Sequence, residues 1–435
     1  MSDPASGWSP ASSPGLAMPA SSSGPKLAFV MVGLPARGKT FISRKIARYL
    51  SWLGHKTQVY NVGSYRRARL GSHQHHSFFD PRNQTATEAR RDVALAALDD
   101  MLAFLRRGGD IAIYDATNNT RERRAHVAER CAAEGLEVVY VESICNDPAL
   151  VEANIRATKA RSPDYEGVPE EEAVRDFRMR IRHYEVGYEE VREEEGRFVK
   201  IVDVGRKILL HRVEGYLLTR VVHFLLNLHV QPRTVWLTRH GESEFNVLGR
   251  IGGDSPLSEA GRAYARTLAD VVRQRIGLHV AVWTSSLRRT METADVVGLP
   301  YRAWRPLDEI DAGVCDGMTY AEIEATMPEE YTARELDKFR YRYPRGESYQ
   351  DVIQRLEPVI FELEREHAPV LVVGHQAALR ALYAYMMDRP PHECPFVSIP
   401  LHTIIELEPT AYGCEERRIA LPPLPLDPEG FRQLG

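Results

Sequence analysis

Six apolar residues, Leu27-Ala28-Phe29-Val30-Met31-Val32, run without a break into Gly33-Leu34-Pro35-Ala36-Arg37-Gly38-Lys39-Thr40. The second stretch matches the pattern G-x-x-x-x-G-K-[ST] of a phosphate-binding P-loop. No other feature constrains the chain as much. A buried strand that enters a glycine-rich turn and then a helix opens a parallel α/β unit, whose sheet must be covered by helices. Apolar Ile42, Ile46 and Leu50 recur at helical spacing and predict that helix over residues 40–53. Glycines let backbone amides approach phosphate, and a helix N-terminus favours negative charge. Lys39 is then suited to reach the β- and γ-phosphates of a nucleotide, and Thr40 to ligate magnesium.

A second centre lies far downstream. The apolar run Thr234-Val235-Trp236-Leu237 ends in Thr238-Arg239-His240-Gly241-Glu242-Ser243-Glu244, with Asn246 just behind. Open α/β sheets bind ligands at the carboxyl edge of their strands. An imidazole there can attack phosphorus, and a guanidinium can hold phosphate oxygens with a planar fork of donors. Val370-Leu371-Val372-Val373-Gly374-His375-Gln376 repeats the arrangement. Two strand-end histidines, with Arg289 and Glu309 between them in sequence, suggest a histidine phosphatase.

A chain of 435 residues exceeds one ordinary core, so two domains and a tail are expected. The expected divisions are a disordered Ser/Pro-rich tail over 1–25, a first domain over 26–230 and a second over 231–435. The tail holds no charge between Asp3 and Lys26 and too little apolar surface to order itself. Its Ser9-Pro10 and Ser13-Pro14 pairs are common in such tails. A net charge of −4 gives no reason to expect nucleic acid or an anionic membrane. The five cysteines are scattered, which suits reduced thiols in the cytoplasm. No apolar run is long enough to span a membrane.

Within the first domain a strand over 57–62 leads into Gly63-Ser64-Tyr65-Arg66-Arg67, read as a basic loop suited to a phosphorylated acceptor. His73, His75 and His76 lie close together, but no carboxylate or cysteine pattern completes a metal site, so they read as a solvated loop. A helix over 86–105 carries Arg90 and Arg91. A strand over 110–114 ends in Asp115-Ala116-Thr117-Asn118, where such folds place a magnesium ligand or catalytic base. Strands over 137–141 and 198–204 and a helical stretch over 213–226 complete the domain, with 227–233 as linker. Arg180 and Tyr184 fall on a charged helix whose spacing alone means a solvated face.

In this order the motifs GLPARGKT, NVGSYRR, DATN, ESICNDP, SPDY, RHGESEFN, GRIGGDS, EIDAGVCDGMTY, YRYPRGESY and GHQA closely resemble the bifunctional 6-phosphofructo-2-kinase/fructose-2,6-bisphosphatase family. The resemblance spans about residues 27–414. It implies an α/β chain with a P-loop NTPase-like kinase domain followed by a histidine-phosphatase domain of the phosphoglycerate mutase type. Such an enzyme makes fructose 2,6-bisphosphate from fructose 6-phosphate and ATP and hydrolyses it again, controlling glycolysis and gluconeogenesis. It implies Mg2+ with ATP in the kinase half, no cofactor in the phosphatase half, and a homodimer.

The resemblance also implies individual roles. Gly33, Gly38, Lys39, Thr40, Asn154 and Lys159 look like nucleotide contacts, Thr40 like the magnesium ligand and Tyr412 like a nucleotide contact from the second domain. Asp115 and Lys159 look catalytic. Arg66, Arg90, Thr117, Arg123, Arg180 and Tyr184 fall on positions that bind fructose 6-phosphate. In the second domain His240 resembles the histidine that becomes phosphorylated and Glu309 the proton donor. Arg239, Arg289 and His375 resemble the phosphate clamp. Asn246, Gly252, Tyr320, Arg334, Lys338, Tyr349, Gln376 and Arg380 fall on sugar bisphosphate contacts. The stretch 68–77 departs from the pattern and reads one residue long. Each site is expected to draw its chemistry from its own domain.

Two other readings stand beside this one. A kinase–phosphatase fusion acting on another phosphorylated substrate, such as a nucleic acid end, lacks the aromatic-interleaved basic stripe it needs. A scaffold with one active half has no reason to keep Lys39, Thr40, Asp115, His240, Glu309 and His375 together.

Overall fold

The computed structural model describes residues 26–159, 162–228, 233–410 and 413–421. The stretch 1–25, with its two Ser-Pro pairs, lies outside the described residues, as do residues 229–232 of the expected linker. Six strands make the first sheet: β1 (Leu27–Val32), β2 (Thr57–Asn61), β3 (Ile111–Asp115), β4 (Glu137–Ile144), β5 (Arg197–Val202) and β6 (Lys207–His211). Their order is β2-β3-β1-β4-β5-β6, with β1 to β5 parallel and β6 antiparallel at the edge. Every residue of β1 is buried, as a central parallel strand covered on both faces requires. The chain leaves β1 outward to β2, returns to β3 and then crosses β1 to reach β4. That reversal opens a crevice at the strand ends, and the turn 33–38 lies in it.

The second sheet holds β7 (Val235–Arg239), β8 (Ala281–Thr284), β9 (Tyr301–Ala303), β10 (Val370–Gly374), β11 (Thr403–Pro409) and β12 (Cys414–Ala420). The order is β12-β11-β7-β10-β8-β9, with β11 and β12 antiparallel to the rest of the sheet or to each other. β7 and β10 are parallel neighbours whose register pairs Arg239 with Gly374. The residues that follow, His240 and His375, therefore leave the sheet side by side.

One apolar core runs through both domains. Helix Lys39–Trp52, which follows the glycine-rich turn, packs on helix Tyr216–Leu226 and on helix Gln376–Met386 of the second domain. Tyr49 stacks on Phe224 with ring centroids 4.5 Å apart, and Trp52 donates its indole N–H to the Ala381 carbonyl at 2.9 Å. Burying an aromatic of this size is worth about 1.5–3 kcal/mol, so the two domains hold each other through a shared core.

Several expected elements differ. The stretch read as a basic loop is helix Val62–Leu70, capped by the Asn61 side chain, which accepts from the Ser64 amide at 2.8 Å. Its sole buried residue is Arg66, so the helix carries no apolar periodicity to betray it. The histidine stretch is not merely a solvated loop: it runs into a short turn, His76–Phe79, held against helix Glu170–Glu185. That helix is not a solvated face at Arg180, whose guanidinium is largely covered. The hairpin strand β6 and the pair β11–β12 carried no signal that was read.

Candidate active sites

In the first crevice, backbone geometry makes the phosphate cradle. Gly33 has φ 134°, and a Cβ there would lie 2.4 Å from the Ser143 carbonyl oxygen, so only glycine fits. Gly38 caps the following helix in the left-handed region at φ 84°. The turn is strapped from three sides. The Gly33 amide donates to the Thr117 carbonyl at 3.0 Å, Asn154 Nδ2 to the Ala36 carbonyl at 3.2 Å, and Asn118 Nδ2 to the Met31 carbonyl at 2.8 Å. Lys39 is buried and donates to the Leu34 carbonyl at 2.6 Å, which curls its ammonium under the turn. Asp115 ends β3, buried, and accepts from Asn61 Nδ2 at 2.5 Å and Ser43 Oγ at 3.4 Å.

A cavity of about 430 Å³ opens over this turn. Gly38, Lys39, Thr40 and Asn154 line it from the first domain. Leu363, Glu364, Met386, Pro409, Thr410 and Gly413 line it from the second. Residues of both domains therefore wall this cavity, as the expected nucleotide contact from the second domain implies. Gly33 shapes the turn without lining the cavity. Lys159 ends the turn Ile155–Lys159, but its side chain lies outside the described residues, as does Tyr412.

Beside the crevice the expected acceptor arginines converge on one aromatic ring. The guanidinium carbons of Arg180, Arg66 and Arg90 lie 3.6, 5.6 and 5.8 Å from the Phe79 centroid. Arg66 donates to both oxygens of Asp164 at 2.7 and 2.5 Å, and Arg180 adds a bond at 3.3 Å. Burial pushes the Asp164 carboxyl up, but these arginines outweigh it and hold it below the usual range. Arg66 Nε, Arg90 Nη1 and Arg180 Nε are buried donors with no hydrogen-bond partner. Orphaned buried guanidinium donors are costly unless an anion completes them. Arg123 and Tyr184 act electrostatically on Arg90, whose guanidinium burial lowers. Thr117 is half-buried behind them. Sequence reasoning missed Phe79 and Asp164, although Asp164 stands in the SPDY motif.

The second domain gathers its expected residues, His375 excepted, around one cavity of about 140 Å³. Arg239, His240, Asn246, Gly252, Arg289, Glu309, Tyr320, Arg334, Lys338, Tyr349, Gln376 and Arg380 all line it. A Cβ at Gly241 would lie 2.3 Å from the Gly261 carbonyl oxygen, which fixes the glycine after His240. His240 Nδ1 stands 2.6 Å from the Gly241 carbonyl. A carbonyl only accepts, so Nδ1 carries the proton and Nε2 keeps its lone pair. Arg289 Nε donates to that Nε2 at 3.1 Å. Burial, then Arg289 and Arg239, hold the His240 imidazolium well below its ordinary pKa. His375 has its ring centroid 5.1 Å away and bonds Ser285 Oγ at 2.7 Å through Nε2. Burial, then Arg289 and His240, keep it neutral as well. Its Nδ1 and the Nε of Arg239 are buried without partners.

Glu309 lies at the start of helix Gln376–Met386, its oxygens accepting the amides of Gln376 and Ala377, each at 3.0 Å. Arg355, which the sequence did not flag, fixes this loop by donating to the carbonyls of Asp308 and Glu309 at 2.9 and 3.1 Å. Arg334 donates to Tyr343 and Tyr320 hydroxyls at 2.9 and 2.8 Å, and Arg380 to the Tyr349 hydroxyl at 2.9 Å. Cations and phenols thus rim the cavity that His240 also lines.

Comparison with known proteins covers both halves. Residues 17–232 match the 6-phosphofructo-2-kinase family, and residues 235–421 match the histidine phosphatase superfamily, branch 1. A 6-phosphofructo-2-kinase/fructose-2,6-bisphosphatase from Gallus gallus is 50% identical over 396 residues, covering 90% of this chain and 84% of that protein. One from Arabidopsis thaliana is 52% identical over 410 residues, covering 92% of this chain and 55% of that longer protein. Isoform 3 of Rattus norvegicus is 48% identical over 410 residues, covering 92% and 74%.

Proposed function

Because the chain belongs to the bifunctional 6-phosphofructo-2-kinase/fructose-2,6-bisphosphatase family, it makes and hydrolyses fructose 2,6-bisphosphate, and we propose how its residues divide that work. In the first domain ATP lies on the turn 33–40, and the acceptor's 6-phosphate completes the open donors of Arg66, Arg90 and Arg180. The 2-hydroxyl then faces the γ-phosphoryl for in-line attack. Lys39 leaves the Leu34 carbonyl to follow the transferring charge, and Asp115, held by Asn61 and by Ser43, whose hydroxyl also meets the Thr40 carbonyl, orients or takes the hydroxyl proton. The Thr40 hydroxyl and the Asp115 carboxylate are hard oxygen donors at one edge of the turn, a set that suits magnesium. Magnesium bound with ATP supplies charge neutralisation on the phosphoryl oxygens.

In the second domain the bisphosphate's 2-phosphate takes the Arg289 N–H that now rests on His240, which frees the Nε2 lone pair. Nε2 attacks phosphorus, and the C2 oxygen leaves with a proton from Glu309. Arg239, Arg289 and His375 face the equatorial oxygens as charge builds. Water then attacks the phosphohistidine and returns free His240 and phosphate. Tyr320, Arg334, Lys338, Tyr349 and Arg380 hold the sugar and its 6-phosphate.

The locked tautomer of His240 carries this reading furthest, because it presents a neutral Nε2 among arginines that await an anion. The reading includes a homodimer in the cytoplasm that binds neither nucleic acid nor membrane. No helix among the described residues is long and apolar enough to cross a membrane. The test is to measure both reactions on one purified preparation, with light scattering for mass. Phosphorylation of fructose 6-phosphate at C2 and an acid-labile phosphoenzyme are expected; a phosphoenzyme that survives His240→Ala refutes the assignment.

A further inference from the structure

The stretch that departs from the family pattern carries a feature that neither active site uses. His75, His76 and Asp176 each present a ligand atom, and those atoms lie within 4.8 Å of one another. Asp176 comes from helix Glu170–Glu185, so the fold supplies the carboxylate that sequence spacing did not show. His75 Nε2 stands 3.5 Å from Asp176 Oδ1. Tetrahedral zinc bonds of 2.0–2.1 Å set neighbouring ligands about 3.3–3.4 Å apart, so that edge is already near its final length. The outer contacts are those a ligand set needs. His75 Nδ1 bonds Ser77 Oγ at 3.0 Å. Asp176 accepts from the Tyr165 hydroxyl at 2.6 Å and from the His76 amide at 2.9 Å. His183 adds an imidazole at the edge, its Nε2 3.1 Å from His76 Nδ1.

We propose that His75, His76 and Asp176 bind a zinc-class divalent ion that staples the turn His76–Phe79 to helix Glu170–Glu185. Two neutral imidazoles and one carboxylate, with a coordination position left for water or His183, form a borderline donor set that selects zinc over magnesium or calcium. The consequence reaches the acceptor pocket. The turn carries Phe79 and the helix carries Arg180, the closest of the guanidiniums to that ring, at 3.6 Å from its centroid. Fixing one element to the other preorganises the arginines that receive the sugar phosphate, so the bound ion lowers the KM for fructose 6-phosphate. The proposal rests on the acceptor assignment above only for this kinetic consequence; binding is tested separately.

The experiment titrates the nucleotide-free full chain with Zn2+ in a calorimeter, and with Co2+ as a visible-absorption probe of low coordination number. His75→Ala is the main variant, because the side chain is 67% exposed and its loss leaves no buried gap. Asp176→Asn is the second, and His73→Ala, outside the cluster, is the control. Stoichiometric binding that weakens at least tenfold in both cluster variants and is unchanged in the control supports the site. Binding that is absent in the parent chain, or equally strong in His75→Ala, overturns it. A zinc-dependent fall in the sugar KM that vanishes in His75→Ala supports the staple. Zinc bound at the cluster with no change in that KM overturns the kinetic consequence and leaves the site standing.

Discussion

Besides the shared apolar core, the contact between the domains buries one carboxylate, Glu364. Glu364 is 2% exposed on helix Tyr349–Arg365 and accepts from Lys45 Nζ at 2.8 and 2.7 Å, Arg48 at 3.2 Å and the Tyr385 hydroxyl at 2.6 Å. Burial raises the Glu364 carboxyl, but Lys45 and Arg48 outweigh it and hold it at about 2. Burial likewise brings the Lys45 ammonium down to about 8 against the pull of Glu364. Glu364→Gln keeps the shape and removes the charge, leaving Lys45 and Arg48 buried without their counter-ion. Breaking such a pair from one side costs about 3–5 kcal/mol. Unfolding entropy near 2.1 cal/mol/K per residue gives about 0.9 kcal/mol/K for 435 residues melting as one unit. Calorimetry at pH 7.5 should therefore show Tm lower by about 3–6 °C. Adding Lys45→Met removes one stranded cation and should recover part of the loss. The carboxyl is depressed in the fold, so the gap to the parent chain is full above about pH 4.5 and closes as pH falls towards 2. A Tm change under about 1 °C, or a double variant that loses the full sum of both single losses, would show that the cluster adds nothing to the joining of the domains.

Lys39→Ala should cut 2-kinase turnover at least about a hundredfold while most bisphosphatase activity remains; steady-state assays of both reactions on the same preparation decide it. Arg66→Ala should raise the KM for fructose 6-phosphate about tenfold or more and move the ATP constant little, because charge-assisted bonds are worth about 1.5–3 kcal/mol. Asp164→Asn should weaken the same constant less, since the arginines then keep their charge but lose their anchor. His240 and His375 are neutral in the fold and titrate near 6.5 when unfolded, so the unfolded chain takes up more protons in acid. Their contribution is full above about pH 6.5 and falls below it by up to about 1.4 kcal/mol per pH unit each. Urea denaturation at pH 7.5 and 5.5 should show a flatter dependence in His240→Gln/His375→Gln than in the parent.

What the sequence disclosed follows from where each signal lives. β1 and its turn were legible because a buried strand, a glycine-rich turn and a helical repeat lie within one short stretch. His240 and His375 were legible as a pair because each ends an apolar run, and parallel neighbours bring strand ends together. Helix Val62–Leu70 was not, because it buries only Arg66 and shows no apolar face. Asp164 and Asp176 were out of reach for another reason: Asp164 meets Arg66 across 98 residues and Asp176 meets His76 across 100. Glu364 reads in sequence as one more charge on an amphipathic helix. Only packing against Lys45, 319 residues away, makes it a buried counter-ion.

That same packing sets an ion cluster both at the seam between the domains and in the wall of the larger cavity. Lys45 and Glu364 both line the cavity over the turn, so the wall of that cavity is also the seam between the domains. Lys45 and Arg48 sit on the helix whose first residues cradle phosphate, and Glu364 sits on the helix that starts at Tyr349, a residue of the bisphosphate cavity. Nucleotide phosphates bring negative charge to a place where two cations share one carboxylate. A phosphate that reached Lys45 would compete there with Glu364. A ligand shifts an equilibrium by the difference in its affinity for two arrangements. For such an anion the difference would act on one ion cluster rather than through a relay across the protein. Helix Tyr349–Arg365 is capped at Ser348 by a reciprocal side-chain and backbone pair, and Arg355 on the same helix holds the carbonyl of Glu309. A change at Glu364 is thus one helix away from Glu309, the proposed proton donor, so the two proposed sites share a structural element even though their reacting groups do not meet.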